Sequence, residues 1–272
     1  MFGRKKSSLA DEEEPLEKAE VAESAADEAA DELDDEADEP GEESDDVAPE
    51  PEEADEQPAA EADEWQTLDA SRDWREDGPF DIGEVDLDAD EVQRLDFGSV
   101  IVTPFDDMQL QLQVSQANGQ VQALMVVDKK SALEVALFAA PARGSMLAQV
   151  RDEMAAAAEA AGGTMKLEEG PLGTQIRRVL PGKAADGREV KQRSLTWLAQ
   201  GPKWLLRGVL MGQAAMSDKM GDEAQLLFEF FCNLVVRRGD TPKVPGELIG
   251  MEIPAALAAN LPNQSDEANQ PK

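Results

Sequence analysis

Negative charge is concentrated so strongly at the start of this chain that its first segment cannot form a hydrophobic core. Residues 1–64 hold 28 Asp or Glu side chains against 4 Lys or Arg side chains, and large apolar residues are almost absent. Such a segment buries too little apolar surface to offset the entropy lost on folding. We therefore predict that residues 1–64 are a disordered acidic arm and that the fold comes from the rest of the 272-residue chain.

The rest of the chain divides into three parts by charge and pattern. Residues 65–98 are still acidic, and "LDADEVQRLDFG" within them predicts a short helix with Asp88 as its N-cap and Gly98 beyond its end. We interpret 65–98 as a transition segment. Residues 99–258 balance acidic and basic side chains and are predicted to form a single domain, followed by a flexible polar tail at 259–272.

Alternation of apolar and polar residues predicts several antiparallel strands in this domain. In "MQLQLQVS" the apolar residues occupy every second position, which places them on one face of a strand. The following Asn118-Gly119 pair favours a tight turn into "VQALMVVD", so the two runs are predicted to form a hairpin. Four further strand-like runs between 164 and 215 are joined by short turns, a spacing typical of an antiparallel meander.

The last of these runs, "GPKWLLRGVLMG" at 201–212, is rich in large apolar residues and raises the question of a membrane anchor. It is too short to span a bilayer, and Arg207 interrupts it. With a period of two, Trp204 shares one face of a strand with Leu206 and Leu210. The pattern predicts a turn followed by a central strand whose Trp204 face lies in the core.

Two segments show helical rather than strand patterns. "SMLAQVRDEMAAAAEAAGG" predicts a helix that Ser145 can cap and that ends at the two following glycines. "DEAQLLFEFFCNLVVRR" predicts a second helix with Arg237 and Arg238 in its last turn and Gly239 beyond it. The predicted fold class is α+β, an antiparallel sheet packed with two amphipathic helices and preceded by the disordered acidic arm.

Several chemistries are missing from the composition. The chain contains no His and no Tyr, which removes imidazole-based catalytic triads and histidine metal sites. Cys232 lies in an apolar helical pattern and is predicted to be an inert thiol. "DLDADE" has the spacing of a calcium loop, but Glu91 and Phe97 replace two residues that such a loop needs. We predict no catalytic residue, metal or cofactor, and we favour a non-enzymatic role.

The strongest candidate site is a concentration of positive charge. Residues 177–207 carry eight Lys or Arg side chains and two acidic ones. Alternation along two successive strands is expected to bring some of them together as a basic strip with aromatic and apolar ends. The basic strip consists of Lys191, Arg193, Trp197, Lys203 and Arg207. The alternative is an ordinary solvated sheet face without a binding role.

Three stretches of the chain carry a resemblance to a known family. They are "GPFDIGEVD" with "RLDFGSVIV", "LPGKAADGREVKQRSLTWLAQGPKWLLRGVLMGQAA", and "LVVRRGDTPKVPGELI". On them the chain resembles an uncharacterised actinobacterial family, a domain of unknown function that follows a variable acidic N-terminal arm, over most of 72–255. The resemblance implies a cytosolic single-domain protein and brings no activity, substrate or site residue.

Three functions are compatible with these observations. The leading hypothesis is a cytoplasmic binding or adaptor protein whose basic strip recognises an acidic protein partner, with the acidic arm able to mask that strip. The second is a binder or enzyme of a small anionic metabolite that uses the same cations. Nucleic-acid binding is third, because the acidic arm would compete with it. "MFGRKKSS" is not followed by an apolar segment, so neither a signal peptide nor a membrane association is expected.

Overall fold

The computed structural model of the chain describes residues 63–115, 120–183, 187–254 and 257. Its strands, in chain order, are β1 (Phe80–Asp81), β2 (Leu95–Asp96), β3 (Val100–Val102), β4 (Gln109–Val114), β5 (Val121–Asp128), β6 (Ser131–Ala139), β7 (Thr164–Gly170), β8 (Gly173–Lys183), β9 (Glu189–Gly201), β10 (Trp204–Gly212) and β11 (Val235–Val236). Its helices are α1 (Glu64–Asp69), α2 (Leu147–Ala160), α3 (Asp222–Cys232) and a 3₁₀ helix (Gln213–Met216).

Chain contacts divide the protein into two units. One comprises residues 60–182 and 189–272 and holds every site described below. The other comprises residues 1–59 and 183–188, of which the structure describes Lys183, Gly187 and Arg188. The predicted disordered arm, apart from Asp63 and Glu64, and the predicted C-terminal tail lie outside the described residues.

A seven-stranded sheet forms the main layer of the larger unit. Its strand order is β4-β5-β6-β10-β9-β8-β7. The pairs β4–β5, β5–β6, β6–β10, β10–β9 and β7–β8 are all antiparallel. This arrangement confirms the predicted hairpin of β4 with β5, although its Asn118-Gly119 turn lies outside the described residues. It also confirms the predicted meander from β7 to β10.

A second, smaller sheet has the order β1-β11-β3-β2 and contains one parallel pair, β1 with β11. Its strand β11 lies where the second helix was predicted to continue. That helix, α3, ends at Cys232 and does not reach Arg238, so this part of the prediction is wrong. Val235 and Val236 are both buried and pair with Ile101 and Val100 of β3. Because β-branched residues favour strand over helix, Val235 and Val236 pair in the sheet instead of forming a further turn of α3.

The short helix predicted around residues 88–97 is wrong. The backbone N–H of Asp88 donates to the Asp86 carboxylate at 3.1 Å, and that of Val92 donates to the Asp90 carboxylate at 3.1 Å. Aspartate side chains that bind nearby backbone N–H groups stabilise turns at the expense of helix. The segment then enters β2, and a short helix occurs earlier instead, as α1.

The helix α2 matches its prediction closely. The Ser145 hydroxyl accepts a hydrogen bond from the N–H of Leu147 at 3.2 Å, while the Gln200 side-chain oxygen accepts from the N–H of Met146 at 2.9 Å. Side chains from β9 and from the preceding loop therefore satisfy two of the N–H groups at the start of the helix. This contact also ties α2 to the main sheet.

Apolar side chains are buried on both faces of the main sheet. On the first, Trp204, Leu206 and Leu210 pack in one cluster with Leu227 and Phe231 of α3, and we call it the α3 face. A second cluster forms on the other side, where Leu198, Leu205 and Ile176 pack with Met146 and Met154. We call that side the α2 face. Full burial of each large apolar side chain contributes about 1.5–3 kcal/mol, so these two clusters supply much of the stability.

Residues 201–212 confirm the predicted turn and central strand. β10 lies between β6 and β9, and Trp204 is fully buried on the α3 face. A Cβ at Gly208 would lie 2.7 Å from the Phe231 ring, so the close approach of α3 to β10 needs glycine there. The Trp204 indole N–H donates to the Asp81 carboxylate at 2.7 Å, which fixes its orientation.

The architecture is therefore sheet-rich α+β, as predicted, with a main antiparallel sheet and helices on both of its faces. Within the described ranges, none of the helices has the length and apolar character that crossing a membrane requires.

Candidate functional site

The structure separates the residues of the predicted basic strip instead of grouping them. Trp197 pairs with Gly208, and Arg207 pairs with Leu198, so Trp197 and Arg207 point to opposite faces of the sheet. The predicted side-by-side arrangement is therefore wrong. Trp197 is 1% exposed and packs edge-on against Phe228, with 5.1 Å between ring centroids, so it cannot line a surface site.

The remaining cations of the strip take different positions. Lys191 is exposed, and Arg193 lies on the α3 face with Trp197, where its guanidinium donates to the Met216 carbonyl at 3.0 Å. Lys203 is exposed in the β9–β10 turn with a φ of 62°, and its own carbonyl accepts from Arg238 at 3.1 Å. Of the five predicted residues, only Arg207 remains as a cation on the α2 face.

Arg207 belongs to a different cluster that the α2 face brings together. Its guanidinium lies 3.5 Å from the Glu134 carboxylate and has its central carbon 4.9 Å from the centroid of the Phe138 ring. Gln113 donates to the other oxygen of Glu134 at 3.0 Å. Arg178 of β8 interacts electrostatically with both Arg207 and Glu134. We call Glu134, Arg178 and Arg207 the two-arginine cluster.

Both guanidinium groups of this cluster are partly removed from water. Burial lowers the pKa of Arg207, and the nearby Glu134 carboxylate opposes that shift. Burial also lowers the pKa of Arg178, the positive charge of Arg207 lowers it further, and Glu134 again opposes. Within the described part of the chain, Glu134 is thus the carboxylate that acts on both cations, which leaves a local excess of positive charge.

Three polar atoms around the cluster are buried without a hydrogen-bond partner among the described residues. They are Nε of Arg178, Nε of Arg207 and the hydroxyl oxygen of Thr196. Thr196 is fully buried, and it pairs with Val209 next to Arg207 along the strands. Buried polar groups are normally paired, so three unpaired ones on one face distinguish this region from the rest of the sheet.

The cluster lies on a part of the α2 face that α2 does not fill. Strand pairing brings Glu134 beside both Met125 and Val209. Phe138 packs against the hydrophobic cluster of the α2 face, but the other apolar side chains beside the two-arginine cluster are mostly half-buried and belong to neither hydrophobic cluster. We call this surface the open half, and it consists of Met125, Val127, Ala132, Glu134, Arg178, Arg207, Val209 and Met211.

Two cavities lie elsewhere in the described structure. The larger, about 240 Å³, is lined by Trp74, Arg72 and Gln200 among others. The smaller, about 150 Å³, is lined by Arg177, Gln175 and other residues near the 3₁₀ helix. Arg178 and Arg207 line neither cavity, so the two-arginine cluster belongs to a sheet surface and not to either of these hollows.

Sequence patterns contained two signals for the cluster that the predicted strip missed. Arg177 and Arg178 are adjacent in a strand, so alternation alone requires one of them on each face. Glu134 is the one charged residue in the apolar run "SALEVALFAA", and a lone half-buried carboxylate in a strand indicates a cation beside it. The contact between these strands, however, depends on a strand order that is not visible in the sequence.

The fold and the site together define a class of protein. It is an α+β domain that carries a pair of partly desolvated arginines on one face of its sheet. The chain belongs to the family described as "Protein of unknown function (DUF3710)", whose model matches residues 78–260. No curated protein and no solved structure matches the chain. The family confirms the resemblance to a domain of unknown function and supplies no ligand or activity.

Proposed function

We propose that this protein is a non-enzymatic cytoplasmic binding or adaptor protein whose open half recognises an acidic segment of a partner protein. The observation that carries this proposal is the two-arginine cluster. Two partly buried guanidinium groups act on a single carboxylate, and their Nε atoms have no hydrogen-bond partner among the described residues. A carboxylate from a partner would accept hydrogen bonds from the accessible part of these guanidinium groups and balance the charge.

The surroundings of the cluster favour a peptide over an isolated anion. Arginine is weakly hydrated for a cation and binds carboxylates through two parallel hydrogen bonds, so it suits partly buried interfaces. The partly exposed Met125 and Met211 flank the cluster across the strands, and methionine adapts to irregular apolar partners. An acidic segment that also carries apolar side chains would use both properties.

The acidic arm is a second element of the proposal. Residues 1–64 carry a net charge of −24, and such a charge is attracted to any exposed cation on the same chain. We infer from this charge that the arm competes with an acidic partner for Arg178 and Arg207. Competition of this kind makes binding weaker in the full chain and sensitive to salt.

Peptide binding to two full-length chains tests the proposal. One is the natural chain, and the other has every Asp and Glu of residues 11–56 replaced by Asn or Gln. The probe is a fluorescent peptide with the sequence of residues 31–46, "DELDDEADEPGEESDD", and the control peptide carries Asn and Gln at its acidic positions. We expect the acidic probe to bind the neutral-arm chain, more weakly at high salt, and to bind the natural chain less tightly.

Variants in the neutral-arm chain identify the site. R178Q with R207Q is expected to lower the affinity for the acidic probe roughly tenfold or more, because each charged hydrogen bond contributes about 1.5–3 kcal/mol. K191Q removes an exposed positive charge elsewhere and is expected to leave the affinity nearly unchanged. Equal losses in the two variants would show general charge attraction and would overturn the proposed site.

Glu134 provides a variant with the opposite expectation. E134Q keeps the shape of the side chain but removes the carboxylate that acts on Arg178 and Arg207. The probe then has no internal competitor, and its affinity is expected to rise roughly three- to tenfold, as removing one competing charge is a change of about 1 kcal/mol. If the cluster serves only the fold, E134Q lowers stability and leaves the affinity as it was.

A further inference from the structure

The two edges of the main sheet differ in their protection. β4 forms one edge and β7 the other. Among the described residues, β4 pairs through its backbone with β5 alone, so the outer side of its backbone has no partner there. Unpaired backbone groups along a sheet edge are a template for another strand, and proteins usually guard such edges.

The edge strand β7 contains charged residues, which discourage pairing with another strand, and the edge strand β4 contains none. The β7 sequence "TMKLEEG" includes the charged residues Lys166, Glu168 and Glu169. The β4 sequence "QLQLQV" contains no charged residue and no proline. Its regular part runs from Gln109 to Gln113, before the pairing with β5 shifts register. An uncharged edge of this length is open to pairing, and nothing in its side chains repels an identical strand.

The alternation along β4 makes it complementary to itself. Gln109 and Gln111 are opposite Val127 and Met125, which places them on the α2 face. Leu110 and Leu112 therefore point to the other face, where they pack against the core. In an antiparallel pair, residues directly opposite each other share a face. A second copy, rotated by a two-fold axis perpendicular to the sheet, would set glutamine against glutamine and leucine against leucine.

We propose that β4 pairs antiparallel with β4 of a second copy of this chain, which joins two seven-stranded sheets into one continuous sheet. The register of this dimer centres on the middle of the regular part. Gln111 would be opposite Gln111 of the partner subunit, and Gln109 opposite the partner's Gln113. The pairing satisfies both edge backbones, sets the two Gln111 amides opposite each other for a cross-strand hydrogen bond, and extends the apolar row of Leu110 and Leu112. It does not depend on the proposed function.

Substitutions that place a charge at the two-fold axis test the dimer in the full chain. The natural chain is expected to show twice the monomer mass in light scattering across a wide concentration range. Q111K and Q111E each place two like charges opposite each other, and each variant alone is expected to be a monomer. Mixed together they are expected to dimerise, because Lys then faces Glu. A natural chain that is monomeric throughout, or a mixture that stays monomeric, would overturn the proposal.

Disulfide formation tests the register and separates this dimer from any other. Residues opposite each other in an antiparallel pair have Cα atoms about 4.5–5.5 Å apart, within the range a disulfide spans. Q111C is expected to cross-link two copies rapidly under mild oxidation, whereas K166C on the opposite edge β7 serves as the matched control. The natural Cys232 interferes little, because burial raises the pKa of its thiol to about 12.

The rates of the two variants decide the outcome. Both positions are exposed, so neither substitution is expected to disturb folding. A dimer by mass in which Q111C cross-links no faster than K166C would place the interface elsewhere and would contradict pairing through β4.

Discussion

Arg177 and Arg178 are neighbours in β8, yet the two faces of the sheet give them opposite environments. On the α3 face, Arg177 is 7% exposed, with its Nε 3.2 Å from the Glu168 carboxylate and its Nη1 donating to the carbonyls of Ala215 at 3.4 Å and Ser217 at 3.2 Å. On the α2 face, Arg178 has a lowered pKa because of burial and a buried Nε without a partner among the described residues.

The same contrast separates Arg193 from Arg207. Arg193 donates to the Met216 carbonyl and so helps to hold the 3₁₀ helix against the sheet. Arg207 has an ion pair of 3.5 Å with Glu134 and keeps a buried Nε without a partner in the described structure. Arg177 and Arg193 on the α3 face therefore donate to carbonyls near the 3₁₀ helix, while Arg178 and Arg207 on the α2 face each keep a buried Nε without a partner among the described residues. A count of charged residues along the sequence does not distinguish these four arginines.

Removal of Trp197 is expected to have the largest effect on stability. Trp197 is almost fully buried on the α3 face against Phe228 and Phe231, and W197A leaves a cavity that costs about 3–5 kcal/mol. M211A in the open half serves as the control and is expected to cost much less, because Met211 is already partly exposed. Urea denaturation of both variants measures the difference, and similar losses would mean that the open half is core.

Arg177 is expected to have the next largest effect. R177M removes one of the two cations that bind the Glu168 carboxylate, of which Lys166 remains, and it leaves two carbonyls without this donor. Breaking a buried pair in this way costs up to about 3–5 kcal/mol. The free energy of unfolding from urea titration is the measurement. A loss below the experimental error would show that the Arg177 contacts do not stabilise the α3 face.

Glu168 gives the α3 face a pH dependence. Burial raises the pKa of Glu168, but hydrogen bonding by Lys166 and the charge of Arg177 lower it by more, so its net pKa lies below the ordinary value of 4.5. A carboxyl with a lowered folded pKa stabilises the protein above its unfolded pKa, and this stabilisation is lost as the pH falls through the folded pKa.

The variant E168Q is the test of this pH dependence. We expect the natural chain to lose stability on acidification below about pH 4.5 more steeply than E168Q does. Urea titrations at neutral and acidic pH provide the comparison. Parallel pH profiles for the two chains would show that Glu168 does not contribute to the acid sensitivity of the fold.

Arg178 is expected to have the smallest effect on stability. R178M removes a partly desolvated cation whose Nε has no partner in the described residues, while Glu134 keeps its contacts with Arg207 and Gln113. The change in unfolding free energy is expected to be within about 1 kcal/mol in either direction, since replacing such a charge by an apolar side chain is often neutral. A loss as large as that of R177M would end the contrast between the two arginines.

Local patterns predicted the strands of this fold well, because side-chain alternation depends only on the strand itself. The hairpin of β4 with β5, the meander and the central position of β10 follow from it. The errors arose where the structure depends on pairing between strands that are distant in the sequence, which a local pattern does not show. Val235 and Val236 fit a helical pattern until β3 is present to pair with them, and the aspartates before β2 form turns that compete with a helix.

The error in the basic strip has a single source in the β9–β10 turn. Gly201 pairs with Trp204, so the loop contains only Pro202 and Lys203. A two-residue loop sets odd-numbered residues of β9 opposite even-numbered residues of β10, which places Arg207 across from Leu198 rather than Trp197. Proline suits the first central position, but the positive φ of Lys203 is unusual for a side-chain-bearing residue and was not predictable from "GPKW".

The two-residue turn also restricts how this chain can change length. Deleting Pro202 or Lys203 would leave one loop residue, too few to close a hairpin between Gly201 and Trp204. That pair would have to open, and Trp204 would lose its place on the α3 face. Added residues would only lengthen the loop, so this turn should accept insertions far better than deletions.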